Sequence, residues 1–224
     1  MKYNTYLFHA SQLPILMTNS RVKGQLSETT KTELIRLWVE NEYGRGRDIK
    51  TKYTEKGILC EQDSINLLSK KLGKKFTKNT KTYTNDFLIG TPDIVSDDLY
   101  DIKTSWDLFT YVRADEISAR KDYYNQLFGY MLLTGKEKGH IAYCLPNTPK
   151  SFITDELYRM SFQMNAESTE YKEIEKQVIK NMTFDDIPEN KRVKIFTFEM
   201  DNELKEEIKN RVIEWKNYLN SLTL

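Results

Sequence analysis

The chain of 224 residues is poor in the residue types that build several common metal sites. It contains two cysteines, Cys60 and Cys144, and two histidines, His9 and His140. Two cysteines are too few for a four-cysteine zinc or iron–sulfur site, and two histidines are too sparse for a histidine metal centre. Nothing in the sequence indicates a secreted, disulfide-bonded protein.

Long apolar runs and a strong net charge are also absent. No apolar run approaches the roughly 20 residues that a membrane-spanning helix needs, and the start lacks a basic region followed by an apolar stretch. We therefore expect a cytoplasmic protein without a membrane partner. The formal net charge of +1 predicts no polyanionic partner by itself, and 39% apolar residues suffice for one domain-sized core.

The charges are unevenly distributed along the chain. Residues 1–81 carry 16 lysines and arginines against 8 acidic residues, whereas the remainder is net acidic. A run of lysines that includes Lys74 and Lys75 would be able to follow a phosphate backbone, although a solvated, lysine-rich helix end explains it equally well. Arg45 and Arg47, which alternate with glycines, form a second candidate for phosphate binding.

Residues 90–103 carry the most informative pattern. Two short apolar runs, Thr91 to Val95 and Leu99 to Thr104, flank a polar turn and predict a β-hairpin. Alternation along the second strand places Asp101 and Lys103 on one face, and a loop of odd length would add Asp93. Two carboxylates a few ångströms apart usually hold a cation or share a proton. The alternative is a hairpin whose charges face water.

Two helical segments carry further candidates. In residues 55–68 the apolar residues have helical spacing, with Ile58, Ile65 and Leu68 predicted to form one stripe that Glu61 borders. A carboxylate at the edge of a buried face needs a cationic partner. In residues 123–133, Gln126 and Tyr130 lie one helical turn apart. Taken separately, Glu61 is better explained as a surface acid, and Gln126 and Tyr130 are better explained as ordinary helix-packing residues.

Taken in order, these segments resemble the PD-(D/E)xK nucleases, and within them the RecB-like and lambda-exonuclease branch, which includes the YqaJ-type viral recombinases. The resemblance covers about residues 8–147 and 191–219. Each motif alone is weak, but their order and spacing together are specific. The matching motifs are Gly57-x-x-x-Glu61, Gly90-Thr91-Pro92-Asp93, Asp101-Ile102-Lys103 and Gln126-x-x-x-Tyr130, with His9-Ala10-Ser11-Gln12 similar to the Ala-Ser-Glu opening of the viral exonucleases.

The alternation of helices and strands indicates a mixed α/β protein, and the resemblance implies a restriction-endonuclease-like core with a central mixed β-sheet flanked by helices. We expect one nuclease domain over residues 1–224, with a helical insertion at about 147–190 that contains one clear helix near residues 167–181. The main predicted elements are one helix running to about Leu72, a helix from Asp115 to Thr134, strands from Gly139 to Leu145 and from Arg192 to Glu199, and a final helix from Asn202 to Leu219.

The resemblance also implies a metal site. Glu61, Asp93, Asp101 and the backbone carbonyl of Ile102 would bind one or two Mg²⁺ or Mn²⁺ ions, which prefer oxygen ligands. Lys103 would orient or deprotonate the attacking water and stabilise the charged phosphorus intermediate.

Three further residues take supporting roles by the same resemblance. Gln126 would position the lysine or the nucleophile, and Tyr130 would buttress its helix or contact the backbone of the nucleic acid. Ser11 would contact a phosphate. No arginine precedes Ser11 in this chain, where the viral exonucleases carry one, which leaves a strict dependence on a 5′-phosphate open.

The resulting hypothesis is a Mg²⁺-dependent deoxyribonuclease, namely a phage-type exonuclease that resects linear double-stranded DNA ends for recombination. The resemblance further implies a homo-oligomeric ring and a single-strand annealing protein as partner. Three alternatives remain: a structure-specific or single-strand endonuclease with the same core, an RNA-processing nuclease, and a nucleic-acid-binding protein that keeps the fold without catalysis.

Overall fold

The computed structural model describes residues 2–46 and 51–224. Its helices are α1 (Leu13–Leu16), α2 (Glu28–Tyr43), α3 (Lys52–Leu59), α4 (Glu61–Leu72), α5 (Leu108–Arg113), α6 (Glu116–Thr134), α7 (Lys150–Met160), α8 (Thr169–Met182) and α9 (Asn202–Ser221). Its strands are β1 (Phe8–His9), β2 (Tyr83–Thr84), β3 (Leu88–Gly90), β4 (Ile94–Val95), β5 (Leu99–Thr104), β6 (Lys138–Cys144) and β7 (Val193–Glu199).

The strands form two sheets. The larger sheet has the order β4-β5-β6-β7, in which β5 and β6 are parallel and the other pairs are antiparallel. The smaller sheet has the order β1-β3-β2, with β1 parallel to β3. The predicted mixed α/β fold class is therefore confirmed, and β5 lies in the interior of the larger sheet.

The two faces of the larger sheet are covered by different helices. On β5, Tyr100 and Ile102 belong to a buried cluster that includes Ile65 and Leu68 of α4. Leu99 belongs to the other buried cluster, which includes Leu127 of α6 and residues of α9. Because side chains alternate along a strand, Asp101 and Lys103 lie on the same face as Leu99, towards α6.

Helix α6 has well-defined ends. Asp115 caps its start by accepting a hydrogen bond from the backbone N–H of Ser118 at 2.7 Å. Gly135 ends it in the left-handed conformation, with φ of 70°. The predicted helix from Asp115 to Thr134 is thus present in the structure.

The helix predicted to run through residue 60 is interrupted. Cys60 has φ of −98° and ψ of 5°, so α3 ends at Leu59 and α4 begins at Glu61. The break changes the direction of the chain, and Ile58 is 73% exposed while Ile65 and Leu68 are buried. The prediction that Ile58 shares a stripe with them is wrong, because the stripe assumed one continuous helix.

The segment at about 147–190 contains two helices, α7 and α8, where the sequence indicated one clear helix near residues 167–181. Helix α5 was not predicted. The organisation as a single domain stays a prediction. None of the helices in the described ranges is long and apolar enough to cross a membrane.

Candidate functional site

Strand β5 carries the central pair of the site. The carboxylate of Asp101 is 1% exposed, and its Oδ2 lies 2.8 Å from Nζ of Lys103. The side chain of Lys103 is itself only 17% exposed. A carboxylate and an ammonium are therefore held together in a largely desolvated place, as alternation along one strand predicts.

Asp93 lies at the edge of the same strand. It precedes β4, and its Oδ2 accepts a hydrogen bond from the backbone N–H of Ile102 at 2.6 Å. Because the N–H and C=O of one residue point to the same side of a strand, the carbonyl of Ile102 faces this edge as well. The carboxylate of Asp93 and the carbonyl of Ile102 are thus oxygen donors on one side of β5.

The two aspartates influence each other strongly. Burial, and then the negative charge of Asp101, raise the pKa of Asp93 to about 7, even though the hydrogen bond from Ile102 and the charge of Lys103 oppose this shift. Burial acts to lower the pKa of Lys103, but the charge and contact of Asp101 and the charge of Asp93 raise it above its ordinary value. The carboxylate pair therefore carries more negative charge than one ammonium balances.

Gln126 of α6 connects the members of this group. Its Oε1 accepts a hydrogen bond from Nζ of Lys103 at 3.3 Å, and its Nε2 donates to Oδ1 of Asp101 at 3.3 Å. The same Nε2 lies 3.2 Å from the hydroxyl of Tyr130, one turn further along the helix. One amide thus touches the carboxylate, the ammonium and the tyrosine, and it links the helix to the strand.

Tyr123, three residues before Gln126, is an addition that the motifs did not indicate. Its ring centroid lies 4.4 Å from Nζ of Lys103, a cation–π contact. The only sequence signal is its spacing, since residues three apart share one face of a helix. The ammonium of Lys103 is therefore held by a carboxylate, an amide oxygen and an aromatic ring.

Glu61 is the first residue of α4, which is tied to β5 through a hydrogen bond between the hydroxyls of Ser64 and Thr104 at 3.0 Å. The charge of Glu61 contributes to the raised pKa of Asp93, whose larger causes are burial and Asp101. Its own Oε2, however, accepts a hydrogen bond from Nζ of Lys78 at 2.6 Å. The cationic partner that the sequence required for Glu61 is thus a lysine of the following loop.

Across residues 2–46 and 51–224, no group of three or more His, Cys, Asp or Glu side chains has the mutual geometry of a metal site. The arrangement nevertheless fits a hard cation in two respects. Asp101 is a buried carboxylate paired with Lys103, and it neighbours a second, partly buried carboxylate, that of Asp93. A buried, incompletely balanced carboxylate pair is the chemistry that oxygen-preferring divalent ions complement.

The segment containing Ser11 packs closely against β3 and α6. Ala10 is fully buried, and a Cβ added to Gly129 would lie 3.1 Å from the Cβ of Ala10. A Cβ added to Gly90 would lie 2.8 Å from Cε1 of Tyr130. Because Gly90 and Gly129 have no side chains, the turn of residues Ala10–Gln12, strand β3 and helix α6 are able to come into contact. Ser11 itself is exposed on this turn.

The predicted phosphate-binding residues differ in their surroundings. Lys74 and Lys75 are both exposed, and Nζ of Lys74 lies 2.6 Å from Oδ2 of Asp97. Arg45 is exposed in the loop after α2, whereas Arg47 lies outside the described residues.

Together, the fold and the site resemble those of one class of protein. The interior strand of a mixed sheet carries Asp101 and Lys103, Asp93 lies at its edge, and a helix places a glutamine across it. This arrangement is similar to the core that the motifs predicted by resemblance to nucleases of the PD-(D/E)xK type.

Comparison with solved structures points the same way. A phage-related exonuclease from Haemophilus somnus 129PT is similar, with 25% identity and a TM-score of 0.79, and the match covers 98% of this chain and 96% of that one. An alkaline exonuclease from Laribacter hongkongensis has 14% identity and a TM-score of 0.64, with 98% and 91% coverage. A structure of that exonuclease with dAMP has 14% identity and a TM-score of 0.63, with 98% and 90% coverage.

These likenesses confirm the resemblance to the lambda-exonuclease-like branch over nearly the whole chain. No protein-family model matches the chain, and no curated protein matches its sequence.

Proposed function

We propose that this protein is a metal-dependent, phage-type exodeoxyribonuclease that hydrolyses phosphodiester bonds at the ends of linear double-stranded DNA. The observation that carries the proposal is the linked group of Asp101, Lys103 and Gln126 beside Asp93. It occurs in a chain whose fold matches a phage-related exonuclease over 98% of its length. A protein that only bound nucleic acid would have no need of this buried and electrostatically costly group.

The residues that would hold the metal are Glu61, Asp93, Asp101 and the carbonyl of Ile102. Their donors are all oxygens, which suits one or two Mg²⁺ or Mn²⁺ ions. Such an ion supplies a bound water of lowered pKa and neutralises charge on the phosphate. Glu61 would have to exchange its contact with Lys78 for this role.

The remaining residues of the site act on the substrate and on one another. Lys103 would place a fixed positive charge where the phosphate gains negative charge, and its burial strengthens that interaction. Gln126 and Tyr123 would keep the ammonium in position, because they contact it from α6. Tyr130 would orient Gln126 through its hydroxyl.

DNA is the expected substrate because the similar proteins are exonucleases, one of them solved with dAMP. The preference for linear duplex ends, the use of Mg²⁺, a homo-oligomeric ring and a single-strand annealing partner are proposed on the resemblance alone.

The test is digestion of a linear duplex labelled at either its 5′ or its 3′ ends, beside closed circular DNA, single-stranded DNA and RNA. Each substrate is incubated with Mg²⁺, Mn²⁺ or EDTA. The variant Lys103→Met removes the catalytic ammonium, and Lys209→Met, on the exposed surface of α9, is the matched control.

We expect loss of linear duplex that requires metal, persists in Lys209→Met and is absent in Lys103→Met. The label released first gives the polarity. Cleavage of circles would instead establish an endonuclease, and preferential loss of RNA would establish an RNA-processing enzyme. Tight binding of DNA without cleavage of any substrate would contradict the catalytic proposal.

A further inference from the structure

Lys78 belongs to none of the site motifs, yet it contacts a residue of the site directly. Its Nζ lies 2.6 Å from Oε2 of Glu61. The side chain of Glu61 is only 19% exposed, whereas that of Lys78 is 51% exposed. The lysine therefore reaches from solvent towards a mostly buried carboxylate, and it is free to move away if that carboxylate takes another partner.

The backbone around Lys78 is fixed against the segment that carries Asp93. The N–H of the next residue, Asn79, donates to the carbonyl of Asp93 at 2.7 Å. The side-chain Nδ2 of Asn79 donates to the carbonyl of Pro92 at 2.9 Å. The backbone next to Lys78 is thus anchored beside Asp93, and the side chain of Lys78 is anchored to Glu61.

An ammonium and a divalent ion compete for the carboxylate of Glu61, because their positive charges repel each other when both approach the same group. Three carboxylates, Glu61, Asp93 and Asp101, share this region with two ammonium groups, of which only Lys103 is deeply held. We propose that Lys78 is a second lysine of the site, which competes with the divalent cation for Glu61 and, once displaced, binds a backbone phosphate of the nucleic acid. This inference rests on the proposed nuclease function.

The surface next to Lys78 explains where the displaced ammonium would go. An open pocket with a volume of about 560 Å³ lies between α4 and the loop that follows it. The lysines on this surface are Lys70, Lys74, Lys75 and Lys78. Lys70 and Lys74 are paired with Glu189 and Asp97, so an additional ammonium would increase the positive charge available to a phosphate.

The first test measures Mn²⁺ binding without DNA, by titration calorimetry, for the wild type and for Lys78→Met. Removing the competing ammonium should tighten Mn²⁺ binding by about two- to fivefold, because this is the change in an equilibrium constant that the loss of one partly exposed ion pair typically produces. The matched control is Lys209→Met, which breaks a similarly short lysine–glutamate contact on α9, 2.7 Å long, and should leave Mn²⁺ affinity unchanged.

A double-variant comparison ties the effect to Glu61. In a Glu61→Gln background, Lys78→Met should no longer change Mn²⁺ affinity, because the carboxylate for which the two cations compete is gone. An equal gain in Mn²⁺ affinity in both backgrounds would mean that Lys78 acts only through long-range charge. This result would contradict the proposed competition for Glu61.

The second test measures the salt dependence of duplex binding with Ca²⁺ and with EDTA. With Ca²⁺, the slope of log affinity against log salt should be smaller in magnitude by about 0.9 for Lys78→Met than for the wild type, the loss of one phosphate contact. With EDTA the two slopes should agree, because Lys78 then stays with Glu61. Equal slopes with Ca²⁺ would overturn the phosphate role.

These outcomes separate the exchange from the proposed function. If the wild type digests DNA in a metal-dependent way, but Lys78→Met has the same Mn²⁺ affinity and salt slope as the wild type, the role proposed for Lys78 is contradicted and the nuclease function is not. Wild-type protein that neither binds Mn²⁺ nor digests DNA would overturn both.

Discussion

Replacing Lys56 by methionine should change how the stability of this protein depends on pH. Lys56 of α3 is 1% exposed, and its Nζ donates to the carbonyl of Trp106 at 2.6 Å and to the hydroxyl of Thr148 at 2.9 Å. No carboxylate of residues 2–46 and 51–224 lies within ion-pair distance of it. Burial therefore lowers the pKa of Lys56 from 10.5 to about 8.

The sign and size of the effect follow from proton linkage. The unfolded chain binds the proton of Lys56 more tightly than the folded chain does, so the cost of burying the charge is fully present below pH 8. As the pH rises from 8 towards 10.5, this cost disappears. With the folded pKa at about 8, the wild type should gain about 2 kcal/mol in free energy of unfolding, relative to Lys56→Met, between about pH 7 and pH 9.5.

The measurement is urea unfolding followed by circular dichroism at several pH values between about 7 and 9.5. Subtracting the curve of Lys56→Met from that of the wild type removes the contributions of tyrosines that titrate in both proteins. Lys209→Met, an exposed lysine variant, should run parallel to the wild type. Parallel curves for Lys56→Met as well would refute the reasoning, since they would show that Lys56 titrates alike in the folded and unfolded chains.

Three further predictions concern packing and the site. Gly129→Ala should lower the free energy of unfolding by about 1–3 kcal/mol, because its Cβ would lie 2.6 Å from Cδ1 of Leu13. In the same unfolding experiment, the control Gly57→Ala should be neutral or stabilising, because Gly57 occupies an open helical position. Gln126→Leu should reduce cleavage at saturating metal by about tenfold or more without reducing DNA affinity, since Lys103 loses its amide partner; an unchanged rate would contradict its positioning role. Lys75→Gln should lower the salt slope of DNA binding by about 0.9, and an unchanged slope would show that the lysine is simply solvated.

The sequence predicted those parts of the site that depend on one element. Alternation placed Asp101 and Lys103 on the same face, and their contact of 2.8 Å agrees with this because β5 is regular. Helical spacing placed Gln126 beside Tyr130, and the amide and hydroxyl are 3.2 Å apart. The predicted bounds of α6 agree with the structure, where Asp115 caps its start and Gly135 ends it, because both residues act on neighbouring backbone groups.

Interruptions and short elements were less visible. The break between α3 and α4 at Cys60 carries no proline or glycine, so periodicity continued through it and Ile58 was placed wrongly in the core. Helix α5, six residues long, was missed because so short a helix presents little periodic pattern.

The amino-acid order by itself determined which carboxylates, lysine and amide were available and on which faces of their own strand or helix they lie. Only the tertiary structure decided which cation meets which carboxylate. Lys78 reaches Glu61 because Asn79 anchors its loop to the backbone of Asp93, and Tyr123 covers Lys103 because α6 packs across β5. Such pairings depend on how separate elements pack and on long-range backbone hydrogen bonds, and the spacing of residues within one element does not encode them.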